Sequence, residues 1–261
     1  MHVQSFLRPA LAVVLAASCA LGHAQQTLKA PAAYEPAVGQ EGKDVVWVPT
    51  SQALVDKMLD MAKVTAQDYV IDLGSGDGRT VITAAKRGAR ALGIEYNPEM
   101  VELSKRNAER EGVAARATFV KADLFESDFS RATVITMFLL PEINLKLRPK
   151  ILGLKPGTRV VSNTFTMGEW KADETAAETP NCEASWCTAL LWIVPAKVAG
   201  SYDIPQGKLV LKQEFQMLSG TLTSEGRTFA LQGKVIGEEV TFAAAGREFR
   251  GKVNGKRLQL L

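Results

Sequence analysis

The stretch "YVIDLGSGDGRTVITAAKRG", residues 69–88, limits the folds open to this chain more than any other. An apolar run ends in Asp72, glycines follow at 74, 76 and 78, and a helical stretch begins at once. A strand that passes directly into a helix through a short glycine loop is the opening unit of a sheet covered by helices. Glycines at alternate positions keep β carbons out of the loop. Its backbone N–H groups can then cradle something held very close to them.

The neighbouring segments repeat the alternation. "RALGIEY" (90–96), "ATFVKAD" (117–123), "ATVITMFLL" (132–140) and "GTRVVSNTF" (157–165) read as strands. "NPEMVELSKRNAEREG" (97–112) reads as a helix, with Asn97 as cap, Pro98 in the first turn and Gly112 as terminator. "PEINLKLRPKILG" (141–153) is mostly helical, with Pro149 expected to disturb it. Ahead of the first strand, "VVWVPT" (45–50) is a short extended segment. Thr50 or Ser51 then caps a helix over "SQALVDKMLDMAK", whose Leu54, Val55, Met58, Leu59 and Ala62 fall at helical spacing. The pattern predicts an α/β domain over 45–196: a Rossmann-like, doubly wound parallel sheet covered on both faces.

The texture changes near residue 197. From there to the end, short β-rich runs are separated by turn signals such as "PQG" (205–207), "SEG" (224–226), "AAGRE" (244–248) and "NGK" (254–256). This predicts a small antiparallel β-meander over 197–261, closing into a barrel or a sandwich. "LLWIVPA" (190–196) completes the sheet of the first domain.

Residues 1–24 read as a cleaved secretory signal. Arg8 precedes the apolar run "PALAVVLAASCALG" (9–22), which is short for a membrane span, and "GHA" (22–24) offers the small residues read at a cleavage site. Residues 25–44 then form a flexible lead-in. Cleavage places the chain in the periplasm or outside the cell. The alternative is an uncleaved anchor, which is also the route by which the chain would meet a membrane. Removing the segment takes away His2, His23 and Cys19 and leaves 30 basic against 28 acidic residues, a net +2. That charge argues for no nucleic-acid partner. Without histidine, a Ser-His-Asp triad, a Cys-His pair and most zinc sites are excluded, and no metal site is expected. Cys182 and Cys187 are expected to form a local disulfide across a hairpin in such a compartment; two unpaired thiols are the alternative.

The glycine spacing narrows the ligand. A phosphate loop needs a Gly-Lys-Ser/Thr ending, and here Arg79 and Thr80 follow Gly78. A dinucleotide loop needs G-x-G-x-x-G, and Arg79 occupies the place of the third glycine. S-adenosylmethionine remains. It carries no phosphates, and an acid near the loop can meet its ammonium group. Glu95 ends the second strand, where a carboxylate can accept from both ribose hydroxyls. Asp123 ends the third and suits the exocyclic amine of adenine, with Leu124 and Phe125 as apolar neighbours. Each acid alone also reads as a helix cap or a solvated charge. The order acid, G-x-G-x-G, acid, acid is the specific feature.

On these residues the sequence resembles the class I S-adenosylmethionine-dependent methyltransferases. "VWVPTSQALVDKML" (46–59), "DLFESDFSRATVITMFLLPEINLKLRPKI" (123–151) and "KPGTRVVSNTFTMGEW" (155–170) resemble a narrower group. That group comprises the small protein-lysine methyltransferases related to the mitochondrial enzymes that modify the ATP synthase c subunit and the adenine nucleotide translocase, with their bacterial relatives. The resemblance spans about 45–196 and leaves out the β-rich tail. It implies a bound S-adenosylmethionine and methyl transfer to an amine, in many members a lysine ε-amine on a protein or peptide. By motif it places Asp72, Gly74, Ser75, Gly76, Gly78, Glu95, Asp123 and Leu124 at the cofactor, and Thr50 over its methionine end. Pro141 and Glu142 of "FLLPE" (138–142) would border the methyl-donor pocket. Glu142 can accept the amine's proton or hold it, although an acid in a first helical turn also serves the helix dipole. Asn163 and Trp170 can orient or sandwich the lysine chain, although Trp170 also reads as core or lid. The N-P-P-Y type motif of methyltransferases acting on bases and glutamine is absent. Two other readings stay open: an exported non-catalytic module that keeps the fold and binds an envelope partner, and a small-molecule amine methyltransferase. The sequence leaves the oligomeric state open.

Overall fold

A computed structural model describes Met1, His2 and residues 34–261, apart from positions 178, 183, 184 and 256. Met1–Ala33 and Tyr34–Leu261 are separate units, and the second holds all the elements that follow. Apart from Met1 and His2, the expected signal segment lies outside the described residues, as does the lead-in up to residue 33.

The second unit begins with a small hairpin rather than a loose lead-in. Gln40 and Trp47 face each other, with Trp47 N–H donating to the Gln40 carbonyl at 2.9 Å and Gly39 N–H to the Trp47 carbonyl at 2.8 Å. Helix α1 (Gln52–Met61) follows, capped by Ser51, whose hydroxyl accepts from Leu54 N–H. Leu54, Val55, Met58 and Leu59 form its buried face. Strand β1 (Tyr69–Leu73) leads through the glycine loop into α2 (Arg79–Lys86); β2 (Arg90–Glu95) leads into α3 (Pro98–Arg110), where Asn97 Oδ1 accepts from Glu99 and Met100 N–H. Next come β3 (Ala117–Lys121) and β4 (Val134–Met137). β4 is shorter than the apolar run expected at 132–140, because Pro141 starts a helix and holds Leu140 extended before it. That helix, α4 (Pro141–Ile151), runs unbroken through Pro149. The carbonyl that Pro149 cannot bond belongs to Leu145, an exposed position where solvent can serve it.

β5 (Arg159–Asn163), β6 (Glu174–Ala176) and β7 (Ala189–Ile193) complete a sheet in the order β3-β2-β1-β4-β5-β7-β6. The first five strands in that order are parallel, as expected. The edge is not: β7 runs antiparallel to β5, and β6 to β7. Among the described residues no helix lies between β5 and β7, and an antiparallel neighbour needs no crossover. One core packs α1, α2 and α3 on the sheet, and the other packs α4 with Trp170 and Trp192. Both faces are therefore covered.

The chain then forms β8 (Gly200–Ile204), β9 (Gly207–Glu214), β10 (Met217–Ser224), β11 (Arg227–Ile236), β12 (Glu239–Ala244), β13 (Arg247–Asn254) and β14 (Arg257–Leu260). They pair in sequence order as an antiparallel meander. Alternate residues, among them Leu209, Leu222, Leu231, Val240 and Phe242, fill one interior, and the meander curls into a near-closed barrel. It docks against the sheet's antiparallel edge. Phe215 stacks on Trp170, ring centres 6.2 Å apart, and Gln216 Nε2 donates to the Lys171 carbonyl at 2.8 Å.

Candidate active site

Parallel strands bring their carboxyl ends to one rim, and ligands of such sheets bind there. A cleft of about 230 Å³ lies along it. β1 is the centre of the site, with Asp72 beside Gly93 of β2 and Thr136 of β4. The Thr136 hydroxyl donates to Asp72 Oδ1 at 2.5 Å. Asp72 is buried, and this desolvation pushes its carboxyl up to about 7, against the Thr136 hydrogen bond and helped by the charges of Glu95 and Asp77.

The loop after β1 answers the question its glycines raise, and the answer is partly protein. Gly76 has φ +53°, and a β carbon there would lie 2.6 Å from Trp47 Nε1 of the hairpin. Gly78 has φ +84°, and its β carbon would strike the Phe119 ring at 2.8 Å and Ser104 Cβ at 2.9 Å. Both positions therefore need glycine for conformation and for space. The loop is tied down from outside. Ser104 Oγ donates to the Gly76 carbonyl at 2.8 Å, and Asn107 Nδ2 to the Asp77 carbonyl at 2.9 Å. Arg79 grips Asp77 with two nitrogens and donates Nη1–H to the Thr50 carbonyl at 2.9 Å.

Glu95, at the end of β2, accepts Gly76 N–H on one carboxylate oxygen and Asn97 N–H on the other, both at 2.9 Å. Each oxygen keeps a further lone pair for a hydroxyl donor. Asp123, beyond β3, accepts Phe125 N–H at 2.9 Å on Oδ1 and pairs through Oδ2 with Lys43 of the hairpin. The Lys43 hydrogen bond holds the Asp123 carboxyl below its usual range and raises the lysine in turn. Lys43 also sits over the Tyr96 ring, 4.9 Å from its centre. Ser75 Oγ is buried in the loop against Gly93 of β2, with no hydrogen-bond partner among the described residues. Most of the loop's own N–H groups are taken within the protein, those of Gly74 and Ser75 by the Ile94 carbonyl and that of Gly76 by Glu95. The three acids on successive strands that face the cleft fit a nucleoside that carries an amino acid.

Of the residues expected at the cofactor, Thr50, Asp72, Gly74, Ser75, Gly76, Glu95, Asp123 and Leu124 line the cleft. Gly78 does not: it is the left-handed cap of α2 and packs on Phe119. The expected substrate residues are placed differently. Trp170 is wholly buried between Trp192 and Phe215, away from the cleft, because it seats the barrel. Pro141 and Glu142 start α4 outside the cleft, with Glu142 exposed in the first turn, where an acid suits the helix dipole. Asn163 is buried one layer behind, its Nδ2 donating to Thr50 Oγ1 at 3.3 Å. Cys182 and Cys187 are bonded, their Cα atoms 5.8 Å apart, in the connection between β6 and β7.

The sequence reasoning missed the hairpin's Lys43 and Trp47, and an aromatic group at the other end of the cleft. Phe138 follows β4, Phe165 follows β5 and Trp186 lies within the disulfide loop. Phe138 stacks on Phe165 at 5.8 Å and meets Trp186 at 5.9 Å between ring centres. No periodicity marks residues gathered from three irregular segments. The available signal was that all three directly follow, or connect, strands of the rim.

Comparison with known proteins agrees with this geometry. The ANTKMT methyltransferase domain family matches residues 72–174. A protein-lysine N-methyltransferase of Saccharolobus islandicus is 49% identical over 133 residues, which are 50% of this chain and 83% of that protein. The human lysine N-methyltransferase of the ATP synthase c subunit is 35% identical over 133 residues; the match takes in 51% of this chain and 57% of that protein's length. A crystal structure described as an RNA methyltransferase from Salinibacter ruber, in complex with S-adenosyl-L-homocysteine, is 44% identical with a TM-score of 0.54, and covers 60% of this chain and 100% of that one. With most of the archaeal relative's length matched at this identity, the chain belongs to the class I S-adenosylmethionine-dependent methyltransferases, in the family of the ANTKMT methyltransferase domain.

Proposed function

We propose that this chain transfers a methyl group from S-adenosylmethionine to the ε-amine of lysine in a protein or peptide. The observation that carries the reading is a division of the cleft. Its acids come from the ends of β1, β2 and β3; its aromatic walls come from the ends of β4 and β5 and from the β6–β7 connection. The acidic half suits the donor: Glu95 takes the ribose hydroxyls, Asp123 the adenine amine, and Asp72 with the loop the amino-acid end. The other half holds Phe138, Leu139, Leu140, Ile143, Phe165 and Trp186, an apolar slot that fits an alkyl chain.

The bound donor supplies a methyl carbon already activated on a sulfonium: the amine lone pair forms the C–N bond as the C–S bond breaks, S-adenosylhomocysteine leaves, and the extra proton passes to water. The protein's task is to align a neutral amine. An apolar slot disfavours the ammonium form and lowers the amine's pKa, so Glu142 is not needed as a base. The test is incubation of the purified chain with methyl-labelled S-adenosylmethionine and cell protein, followed by mass spectrometry. Label on lysine nitrogen is expected. Label in added RNA and none on protein would overturn the reading.

The acidic half makes a further prediction. The raised Asp72 pKa means that its contribution to stability is complete below the ordinary aspartate range and is lost as pH rises through about 7. Ionised Asp72 meets the donor's ammonium better, so donor affinity rises between pH 6 and pH 8, by about tenfold at most. Asp72→Asn should flatten that profile in calorimetric titrations; an unchanged slope would remove Asp72 from this role.

A further inference from the structure

Resting on the lysine reading, we infer that Trp186 is the outer wall of the acceptor slot and that the Cys182–Cys187 bond positions it. Trp186 is 37% exposed, the one large aromatic of the slot that faces solvent to this degree, and its ring meets that of Phe138. The other two rings are fixed to the sheet. Phe138 follows β4 directly, and the backbone at Phe165 is held by Asn144 Nδ2 at 3.2 Å and Ser162 Oγ at 2.9 Å, both donating to its carbonyl. Trp186 instead belongs to the connection between β6 and β7, and short-range ties hold that connection. Cys187 is bonded to Cys182, and Thr179 Oγ1 donates to the Cys187 carbonyl at 3.0 Å. The Ser51 hydroxyl donates to Cys182 Sγ at 3.1 Å, fastening the loop to the start of α1 beside Thr50. On the far side, Thr188's carbonyl accepts Thr164 N–H at 2.8 Å, next to Phe165. The bond closes the loop immediately next to the tryptophan, and a small closed loop restricts where its residues can go. An acceptor lysine would pass between Trp186 and the Phe138–Phe165 pair, its methylenes packed on the rings.

Trp186 lies apart from the acids that hold the donor, so its loss should touch one substrate and spare the other. The probe is a synthetic peptide pool, one lysine in varied flanks, with poly-L-lysine alongside. Trp186→Ala should raise the acceptor KM about tenfold, as expected for removing a large ring from a partly buried apolar contact. The calorimetric Kd for S-adenosylmethionine should stay within about twofold of the wild type, which also reports that the variant is folded. Trp186→Phe should restore most of the acceptor KM. The Cys182→Ser/Cys187→Ser double variant should raise the same KM about threefold in the wild type and add nothing to Trp186→Ala, because the bond acts through the ring. An unchanged acceptor KM in Trp186→Ala, or an equal loss of donor affinity, overturns the assignment of Trp186. Additive effects overturn the role of the bond. If the wild type methylates neither the pool nor poly-L-lysine, the lysine reading itself falls, and that result is visible before any variant is made.

Discussion

Replacing Glu95 by alanine weakens S-adenosylmethionine binding by about 100-fold or more. The carboxylate has two tasks. It accepts Gly76 and Asn97 N–H and so joins the glycine loop to the start of α3, and in the proposed reading its remaining lone pairs accept from the ribose. Charge-assisted hydrogen bonds contribute about 1.5–3 kcal/mol each, and losing the equivalent of two is about 3 kcal/mol, or two decades in Kd. Glu95→Gln keeps the shape and part of the acceptor capacity and should lose roughly tenfold. Calorimetry with S-adenosylmethionine and S-adenosylhomocysteine should show equal losses for both, since the ribose is common to them. Undiminished uptake by Glu95→Ala would end the assignment of this rim to the donor.

The second large effect is on stability and lies at the opposite end of the sheet. Arg159 of β5 pairs with buried Asp68, just before β1, and its Nη1 also donates to the Ala62 carbonyl at 2.7 Å. Burial acts to raise the Asp68 pKa, but hydrogen bonds from Thr133, Thr65 and Arg159 outweigh it and hold the carboxyl below its usual range. The pair is only partly buried and Thr133 and Thr65 still serve the carboxylate after the arginine is lost, so Arg159→Ala should destabilise the fold by about 2 kcal/mol. A lowered folded-state pKa stabilises at neutral pH, and that contribution disappears as pH falls below the ordinary aspartate value toward the folded one. Chemical denaturation at pH 7 and at pH 3, below the ordinary aspartate value, should therefore show a smaller penalty for Arg159→Ala at pH 3. A penalty that does not depend on pH would mean that the arginine stabilises by packing and not by charge.

What the sequence disclosed followed from local rules. The run into Asp72, the glycines after it and the Asn97-Pro98 start of α3 are read from neighbours in the chain, and they give the acidic half of the cleft. The acids at 95 and 123 were legible because strand ends in a parallel sheet share a rim. What stayed hidden depended on contacts between distant segments. Residues 25–44 look like a linker by composition and 45–50 like a lone extended segment, yet residues 40–47 pair with themselves and reach Asp123 through Lys43. Trp170 and Trp186 are equally apolar on paper. Only the docked barrel decides that the first is core and the second is at the cleft. The antiparallel edge was missed because β6 is three residues long and the connection to β7 carries no periodicity. Pro149 misled for a related reason: its cost depends on whether its turn faces water, and a sequence does not state which side that is.

The roof over the donor half sets where this chain tolerates shortening. Trp47 covers Gly76, Lys43 closes on Asp123, and Tyr34 accepts a hydrogen bond from Gln40 Nε2 at 2.6 Å. A cut upstream of Tyr34 leaves all three in place. A cut between Val48 and Ser51 detaches the strap and opens the nucleoside end to bulk water, while β1, β2 and β3 keep their pairing. Proteolytic nicking within the strap would turn a tight holder of the methyl donor into a leaky one without unfolding it, which makes the exposed turn around Gly42–Asp44 a point where turnover of the protein and loss of its activity can begin separately.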